Sequence, residues 1–317
     1  MDAFAPDGYV LLPEAAPHEA LAAYPEALQD ARDGLLARRA GVPHAELATA
    51  APDGGAVDPY AIVEPARTLL LAPALVELLT RAYGDKPLLF DAAGTAAGSP
   101  DDAPYRDATY TALGAEPDTL VTIVVALEET TIDVFPGSQD IATTPFSGRY
   151  AAFNPERDGD AALAHHRDEL RAALGGGGET NTITLNPGDV LAWTAGLVHT
   201  APQGDALVAH LCPARVQPAW FTYRPERARH AAAADGTAWL TTQHYDLVDA
   251  ITPEPSDGGD DDPTPVEDER ELQRVEAALK EHDSDNAPPP EAPHASIRRQ
   301  GGLVDSVRGL LGRRGKS

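Results

Sequence analysis

The sequence predicts a mainly β fold with helices packed against it, and three observations support this class. Strand-like segments dominate from Leu88 to about Tyr223, while helical periodicity dominates residues 1–85. Two strands, Val190–Trp193 and Ala206–Cys212, show apolar alternation and are joined by a turn. That turn carries a single histidine, His199, close to a strand end. The hydrophobic content of 43% is sufficient for a globular core.

Residues 1–85 are predicted to be mostly helical. A short strand is expected at Val10–Leu12, followed by a helix with Leu21, Tyr24 and Leu28 on one face. A Gly/Pro/Asp-rich segment at 52–59 interrupts the pattern. The other predicted helical segments of this region are Leu35–Ala40 and Pro65–Tyr83.

The strands are predicted from short apolar runs bounded by turn residues. A helical insertion is expected between them at 155–175, closed by the glycines at 175–178. These glycines lack a lysine or hydroxyl residue in phosphate-loop spacing, so they indicate a connector. The predicted strands are Leu88–Phe90, Thr119–Leu127, Ile183–Leu185, Val190–Trp193 and Ala206–Cys212.

The charge of the chain is its most unusual bulk property. The formal net charge is −26, with 50 acidic and 24 basic residues, of which only three are lysine. Acidic residues spread along the whole chain favour adaptation to a salt-rich cytoplasm, as in haloarchaea, over a surface that recruits a basic partner. Binding of nucleic acid by the main domain is not expected. No signal peptide or transmembrane segment is predicted, so a cytoplasmic location is expected.

The composition changes near residue 251, which suggests three regions. Residues 1–250 are predicted to form the main domain, and 251–296 an acidic, Pro-rich, disordered linker with one short helix. Residues 297–317 carry six basic residues and one acid, with apolar residues at helical spacing. This basic tail is predicted to bind a protein partner rather than to anchor in a membrane, since high salt screens lipid headgroups.

Five landmarks carry a resemblance to a known family. They are DGYVLLPE at 7–14, PYRDATY at 104–110, LVTIVVALEET at 120–130, PGSQ at 136–139 and the stretch 181–213, which contains GDVLAWTAGLVHTA with His199 and ends in ALVAHLCP. In this order they resemble the phytanoyl-CoA dioxygenase family of Fe(II)/2-oxoglutarate oxygenases. The resemblance implies a double-stranded β-helix (jelly-roll) core with packed N-terminal helices. It also implies Fe(II) and 2-oxoglutarate as cofactors and hydroxylation of a small or lipid-like molecule.

The resemblance places the metal ligands at Asp107 and His199, but two key positions depart from the family pattern. Such an iron needs two histidines and a carboxylate, and Tyr105 stands where the first histidine is expected. Gly204 stands at the position expected for the arginine that clamps 2-oxoglutarate. If the chain is an active oxygenase, Asp107 and His199 hold Fe(II) with fewer protein ligands than usual, or Tyr105 joins them as a phenolate, which its pKa near 10 opposes. The alternative is a catalytically inactive jelly-roll binding or interaction protein.

Other candidate residues are assigned structural roles. His210 is expected to be a packing histidine, and Arg215 would need a different geometry to replace the clamp. Gln139, in the PGSQ segment, is expected to be structural. Adjacent His165 and His166 face different directions on a helix, so shared metal binding is not expected. Cys212, the only cysteine, excludes an intrachain disulfide and is predicted to be buried.

Overall fold

The computed structural model describes residues 1–32, 57–95, 103–148, 150–175, 179–219 and 230–242. These residues form four α-helices, ten β-strands and several short 3₁₀ turns. The helices are α1 (His18–Arg32), α2 (Glu64–Leu70), α3 (Pro73–Tyr83) and α4 (Pro155–Gly175). The strands are β1 (Tyr9–Leu12), β2 (Pro87–Thr95), β3 (Val121–Ala126), β4 (Thr130–Phe135), β5 (Asn181–Leu185), β6 (Val190–Thr194), β7 (Val198–His199), β8 (Ala206–Pro213), β9 (Ala231–Ala232) and β10 (Trp239–Leu240).

A seven-stranded sheet with the order β1-β6-β3-β8-β2-β10-β9 forms the larger layer. Its central strands β3 and β8 are buried at every residue, which explains their almost continuous apolar sequences. Alternate residues face opposite sides: Ile123 and Ala209 pack with the helices, whereas Val124 and Val208 face the second sheet. The main core therefore lies between this sheet and the N-terminal helices.

A three-stranded antiparallel sheet, β5-β4-β7, forms the second layer. In β4 buried residues alternate with half-buried ones, and Ile132 and Val134 point toward the larger sheet. Strands β3 to β8 are distributed between the two sheets in the order large, small, small, large, small, large. The predicted mainly β class with packed helices is confirmed, and the strand order is consistent with the double-stranded β-helix prediction.

The predicted helical stretch Pro65–Tyr83 is helical in the structure, but it forms two helices instead of one. Helix α2 ends at Leu70 and α3 begins at Pro73. Proline has no N–H to donate and disfavours helical geometry in the residue before it, here Ala72, which is extended. The predicted helix at 155–175 is confirmed as α4, with a kink at Gly159.

The remaining helical predictions have different outcomes. The predicted helix after Val10–Leu12 is confirmed as α1, with Tyr24 and Leu28 buried and Leu21 partly buried against the main core. The segment Leu35–Ala40 and the regions 251–296 and 297–317 lie outside the described residues. Within the part of the chain that is described, no helix is long and apolar enough to cross a membrane.

Candidate functional site: a buried Asp–His cluster

The segment that carries Tyr105 and Asp107 lies beside β7. The backbone of Tyr105 pairs with that of His199 in both directions, with N···O distances of 2.9 and 3.0 Å. Asp107 then begins a 3₁₀ turn that ends at Thr109, and the N–H of Ala108 donates to the Ala195 carbonyl at 3.0 Å. This backbone pairing brings two distant parts of the sequence together, and it places the Asp107 side chain in the protein interior.

Asp107 and His199, the two predicted metal ligands, lie side by side. The Nε2 atom of His199 is 3.6 Å from Oδ2 of Asp107, and both side chains are 1% exposed. The indole Nε1–H of Trp193 donates to the same Oδ2 at 2.8 Å. Nδ1 of His199 lies 3.1 Å from the Leu197 carbonyl, so this nitrogen carries a proton. Neither Oδ1 of Asp107 nor Nε2 of His199 has a hydrogen-bond partner among the described residues.

His210 does more than fill space, contrary to its predicted role as a packing histidine. Its Nδ1 lies 3.0 Å from Oδ2 of Asp91, and its Nε2 lies 3.9 Å from Oδ1 of Asp107. The second contact is an ion-pair distance and too long for a hydrogen bond. His210 therefore stands between two carboxylates in the barrel interior.

The charges of this cluster stabilise one another. Burial lowers the pKa of His210, but its contacts with Asp107 and Asp91 outweigh that effect and raise the pKa to about 9. Burial raises the pKa of Asp107, but His199 and His210 outweigh it and lower that pKa to about 2. At neutral pH the cluster therefore contains a carboxylate at Asp107 and an imidazolium at His210.

Tyr105 occupies the place of the missing histidine but stays a neutral phenol. Its ring centroid lies 4.4 Å from that of His199. Burial, together with the negative charge of Asp107, raises the pKa of Tyr105 well above its usual value of 10. Trp193 packs on His199 as well, with ring centroids 4.7 Å apart. The imidazole of His199 is thus enclosed by two aromatic rings, and a phenolate ligand at Tyr105 is disfavoured.

The donor set is smaller than an iron site of the expected type requires. In the described ranges, no three His, Cys, Asp or Glu side chains are placed so that they could hold one metal ion. Asp107 and His199 supply two ligand groups. His210 presents its Nε2 to the same region, but that atom lies 3.9 Å from Oδ1 of Asp107, and the three residues do not form one ligand set. The residues present do not fit a two-histidine, one-carboxylate iron centre.

Gly204, at the position expected for the clamping arginine, has no room for a side chain. Its φ is +138°, and a Cβ built there would lie 2.6 Å from Oγ1 of Thr130 and 2.7 Å from the Glu129 carbonyl. Arg215 is engaged elsewhere, because its guanidinium binds Glu116 at 2.8 Å and the Tyr83 carbonyl at 3.1 Å. Neither position presents a cation to Asp107.

The close approach at Gly204 leads to a first prediction. Gly204→Ala is expected to lower the free energy of unfolding by about 3 kcal/mol, since it combines backbone strain with a steric clash. Gly137→Ala is the matched control, because Gly137 also has a positive φ (+74°) but no atom within 4 Å of its built Cβ; its expected cost is about 1 kcal/mol. Urea denaturation measures both, and equal losses would contradict the steric argument.

The other predicted residues have structural roles. Nε2 of Gln139 donates to the Pro6 carbonyl at 2.9 Å. Cys212 is buried, and burial raises the pKa of its thiol. His166 is buried against Oγ1 of Thr109, at 3.1 Å from Nε2, whereas His165 is largely exposed beside Glu169. The two histidines of α4 thus face different directions, as predicted, and His166 supports the turn that holds Asp107.

Three contributors to the cluster were not predicted from the sequence: Trp193, Asp91 and Thr122. An aspartate inside the apolar strand Leu-Leu-Phe-Asp-Ala-Ala was a usable signal, because a carboxylate in a buried strand needs a partner. Trp193 is two residues from Leu191 in β6, so both side chains lie on the face of the strand that points into the interior. Thr122 lies opposite Trp193 on one side and His210 on the other. Its place in the cluster depends on strand register, which the sequence does not state.

Comparisons with solved structures retrieve several non-haem enzymes, among them α-ketoglutarate-dependent proteins. No family model matches the chain, and no curated protein matches it. The epimerase SnoN from nogalamycin biosynthesis is 16% identical with a TM-score of 0.43, covering 68% of this chain and 81% of SnoN. The carbocyclase SnoK of the same biosynthesis is 14% identical with a TM-score of 0.47, covering 67% and 82%.

An iron-bound structure is among these similar proteins. EctD from S. alaskensis with bound Fe is 19% identical with a TM-score of 0.46, covering 67% of this chain and 74% of EctD. With identities below 20% and TM-scores below 0.5, none of these similarities carries a conclusion about the activity of this chain.

Proposed function

We propose that this chain is a jelly-roll protein of the phytanoyl-CoA dioxygenase type that does not carry out 2-oxoglutarate-dependent hydroxylation and acts as a binding or interaction protein. One observation carries this proposal. Where the resemblance implies an iron centre, the Asp107 carboxylate accepts a hydrogen bond from Trp193 and faces the cationic His210. The charge that would attract a metal ion is already balanced inside the protein.

Electrostatics supports the same conclusion. A divalent cation bound to Asp107 would lie close to the imidazolium of His210, and two like charges in a buried region repel strongly. The first histidine is replaced by Tyr105, whose phenol stays protonated. A side chain that could clamp the carboxylate of 2-oxoglutarate cannot extend from Gly204. The expected cofactors, Fe(II) and 2-oxoglutarate, therefore have no fitting site in the described residues, and no reaction step is assigned to them.

A second candidate function is an oxygenase that holds Fe(II) through Asp107 and His199 alone. One observation favours it: Oδ1 of Asp107 and Nε2 of His199 are buried, close and unpartnered, as two metal ligands would be. In that case His210 would have to lose its proton before the metal binds. The substrate expected from the family resemblance is a small or lipid-like molecule hydroxylated at an aliphatic carbon.

The remaining sequence-based expectations are part of the proposal. The salt-adapted, haloarchaeal character rests on the net charge of −26, and the cytoplasmic location rests on the sequence alone. The acidic linker at 251–296 separates the main domain from the basic tail at 297–317, and this tail is the proposed binding site for a protein partner. A small molecule bound at the barrel mouth and a protein bound at the tail are both compatible with an inactive interior.

An anaerobic Fe(II) titration in high KCl, with and without 2-oxoglutarate, tests the proposed function. The control is the near-isosteric variant Asp107→Asn/His199→Gln, which keeps the packing of both side chains. We expect no stoichiometric iron binding above the level of the variant, no charge-transfer band on adding 2-oxoglutarate, and an unfolding midpoint that EDTA does not change. Stoichiometric binding that the variant abolishes, together with that band, would establish the oxygenase instead.

A further inference from the structure

Helix α4 docks on the rest of the protein through very few buried side chains. In residues 160–175, which follow the kink at Gly159, only His166 and Leu170 are buried. The two are four residues apart, so they lie on one face of the helix. A helix that buries so little surface opens locally at a low free-energy cost. The state of each docking residue therefore decides whether α4 stays in place.

One of the two docking residues is a histidine, and it contacts the turn that begins at Asp107. Nε2 of His166 lies 3.1 Å from Oγ1 of Thr109, the last residue of that 3₁₀ turn. The imidazole ring of His166 also packs on Phe146, with ring centroids 4.9 Å apart. Thr109 is buried, and α4 covers its side of the turn through His166.

Two further contacts join α4 to the same region, and both lie nearer to the surface. The guanidinium of Arg167 donates to the Tyr110 hydroxyl at 3.0 Å. The backbone N–H and the hydroxyl of Thr144 donate to the Glu169 carboxylate at 2.9 and 2.6 Å, in exposed hydrogen bonds. Water replaces exposed hydrogen bonds with a small net change in free energy. These contacts therefore do not fix α4 once His166 leaves its place.

The surroundings of His166 suit a neutral ring and oppose a charged one. Its Nδ1 is buried and has no partner among the described residues, so one N–H of a cationic ring would lack an acceptor. Its charged or titratable neighbours are Arg106, Arg167, His165 and the acid Glu169. Burial and the positive charge of Arg106 outweigh Glu169, and the pKa of His166 is lowered from its ordinary value of 6.5.

Acid therefore favours the undocked helix. When α4 undocks, His166 enters water and recovers an ordinary pKa, so it binds a proton more readily than in the docked state. The contribution of His166 to docking is complete above pH 6.5 and is lost as the pH falls below that value. A docked ring that stayed neutral down to pH 5 would shift the equilibrium toward undocking by about thirtyfold.

We propose that α4 is a pH-sensitive cover of the barrel interior, docked on Thr109 by a neutral His166 and released when His166 takes up a proton. Release uncovers the Thr109 side of the 3₁₀ turn that begins at Asp107, and it gives solvent or a ligand access from that side. This inference goes beyond the proposed function and does not depend on it, because none of the docking contacts given above involves Asp107 or His199.

Hydrogen–deuterium exchange of the full chain in high KCl, at pH 7.5 and at pH 5, tests the release. After correction for intrinsic exchange rates, the protection of the amides in 160–175 is expected to fall on the order of tenfold at pH 5, while β3 and β8 keep theirs. Protection of α4 that does not change with pH would overturn the proposal. An equal loss in β3 and β8 would overturn it as well, because it would show global unfolding.

His166→Gln and His165→Gln form a matched pair on one helix. Glutamine at 166 keeps a hydrogen-bonding group for Thr109 but cannot gain a charge, so the protection of its α4 should not vary with pH. The His165 side chain is 67% exposed, and His165→Gln should keep the response of the unmodified chain. A response that persists in His166→Gln, or an equal loss of the response in both variants, would overturn the assignment to His166.

Two measurements by nuclear magnetic resonance keep the proposal testable if His166→Gln does not dock at any pH. The ring resonances of His166 in the unmodified chain are expected to titrate with a pKa below 6.5, and a value at or above 6.5 would overturn the proposal. A soluble paramagnetic probe is expected to broaden the methyl resonance of Thr109 at pH 5 but not at pH 7.5. A methyl group that stays shielded at pH 5 would show that α4 is not a cover.

Discussion

Asp107→Ala is expected to lower the free energy of unfolding by about 3–5 kcal/mol, because it breaks a buried charge network by removing one partner. The imidazolium of His210 would keep only Asp91, and the indole N–H of Trp193 would lose its acceptor. Urea denaturation at pH 7 in high KCl measures the loss. A protein whose Asp107 served only to bind iron would instead lose metal binding and little stability.

Two comparisons make this expectation specific. Asp107→Asn keeps an acceptor for Trp193 but removes the charge, so it should have a smaller effect than alanine. Asp168→Ala removes a carboxylate that is 72% exposed on α4 and paired with Arg171, and it is expected to change the free energy of unfolding by less than about 1 kcal/mol. The effect of Asp107→Ala should be the same with and without EDTA. A loss that appears only in the presence of metal would show that the cluster is a metal site.

Much of the fold could be predicted from local sequence patterns. The continuous apolar runs of β3 and β8 indicated buried strands, and both lie at the centre of the large sheet. β4 lies outside the predicted strands, although its Thr-Thr-Ile-Asp-Val-Phe sequence is rich in the β-branched and aromatic residues that favour a strand. The break between α2 and α3 was readable from Pro73, since proline limits the residue before it.

The cluster was only half predictable, for a physical reason. Asp107 and His199 could be chosen from the order of landmarks along the chain, and the structure brings them within 3.6 Å. The partners of His210 depend on which residues face each other across β2, β3 and β8. A one-residue change of register would turn His210 toward the helices. The sequence alone therefore indicated a histidine inside the protein but not the two carboxylates beside it.

The stability of the protein is expected to fall as the pH rises from about 6.5 to about 9, because His210 holds its proton more tightly in the folded protein than in the unfolded chain. Its pKa is raised to about 9 in the folded protein from an ordinary value of 6.5. Proton binding to the folded state is therefore favoured, and the stabilisation is complete below pH 6.5 and lost as the pH passes 9. The shift corresponds to a change on the order of 3 kcal/mol.

The charged or titratable neighbours of His210 are not expected to add to the pH dependence of stability in this range. Asp91 and Asp107 are the charged groups that contact His210, and Asp107, with a pKa of about 2, stays ionised throughout. The pKa of Cys212 is raised by burial, and that of Tyr105 by burial and by Asp107, so neither titrates below pH 10. Urea denaturation at several pH values from 6 to 10 in high KCl measures the effect. His210→Gln should remove most of the slope of the free energy of unfolding against pH. His165→Gln, at an exposed position of α4, should leave that slope unchanged. A slope that persists in His210→Gln would assign the pH dependence to another group and would show that His210 is not an imidazolium in the buried cluster.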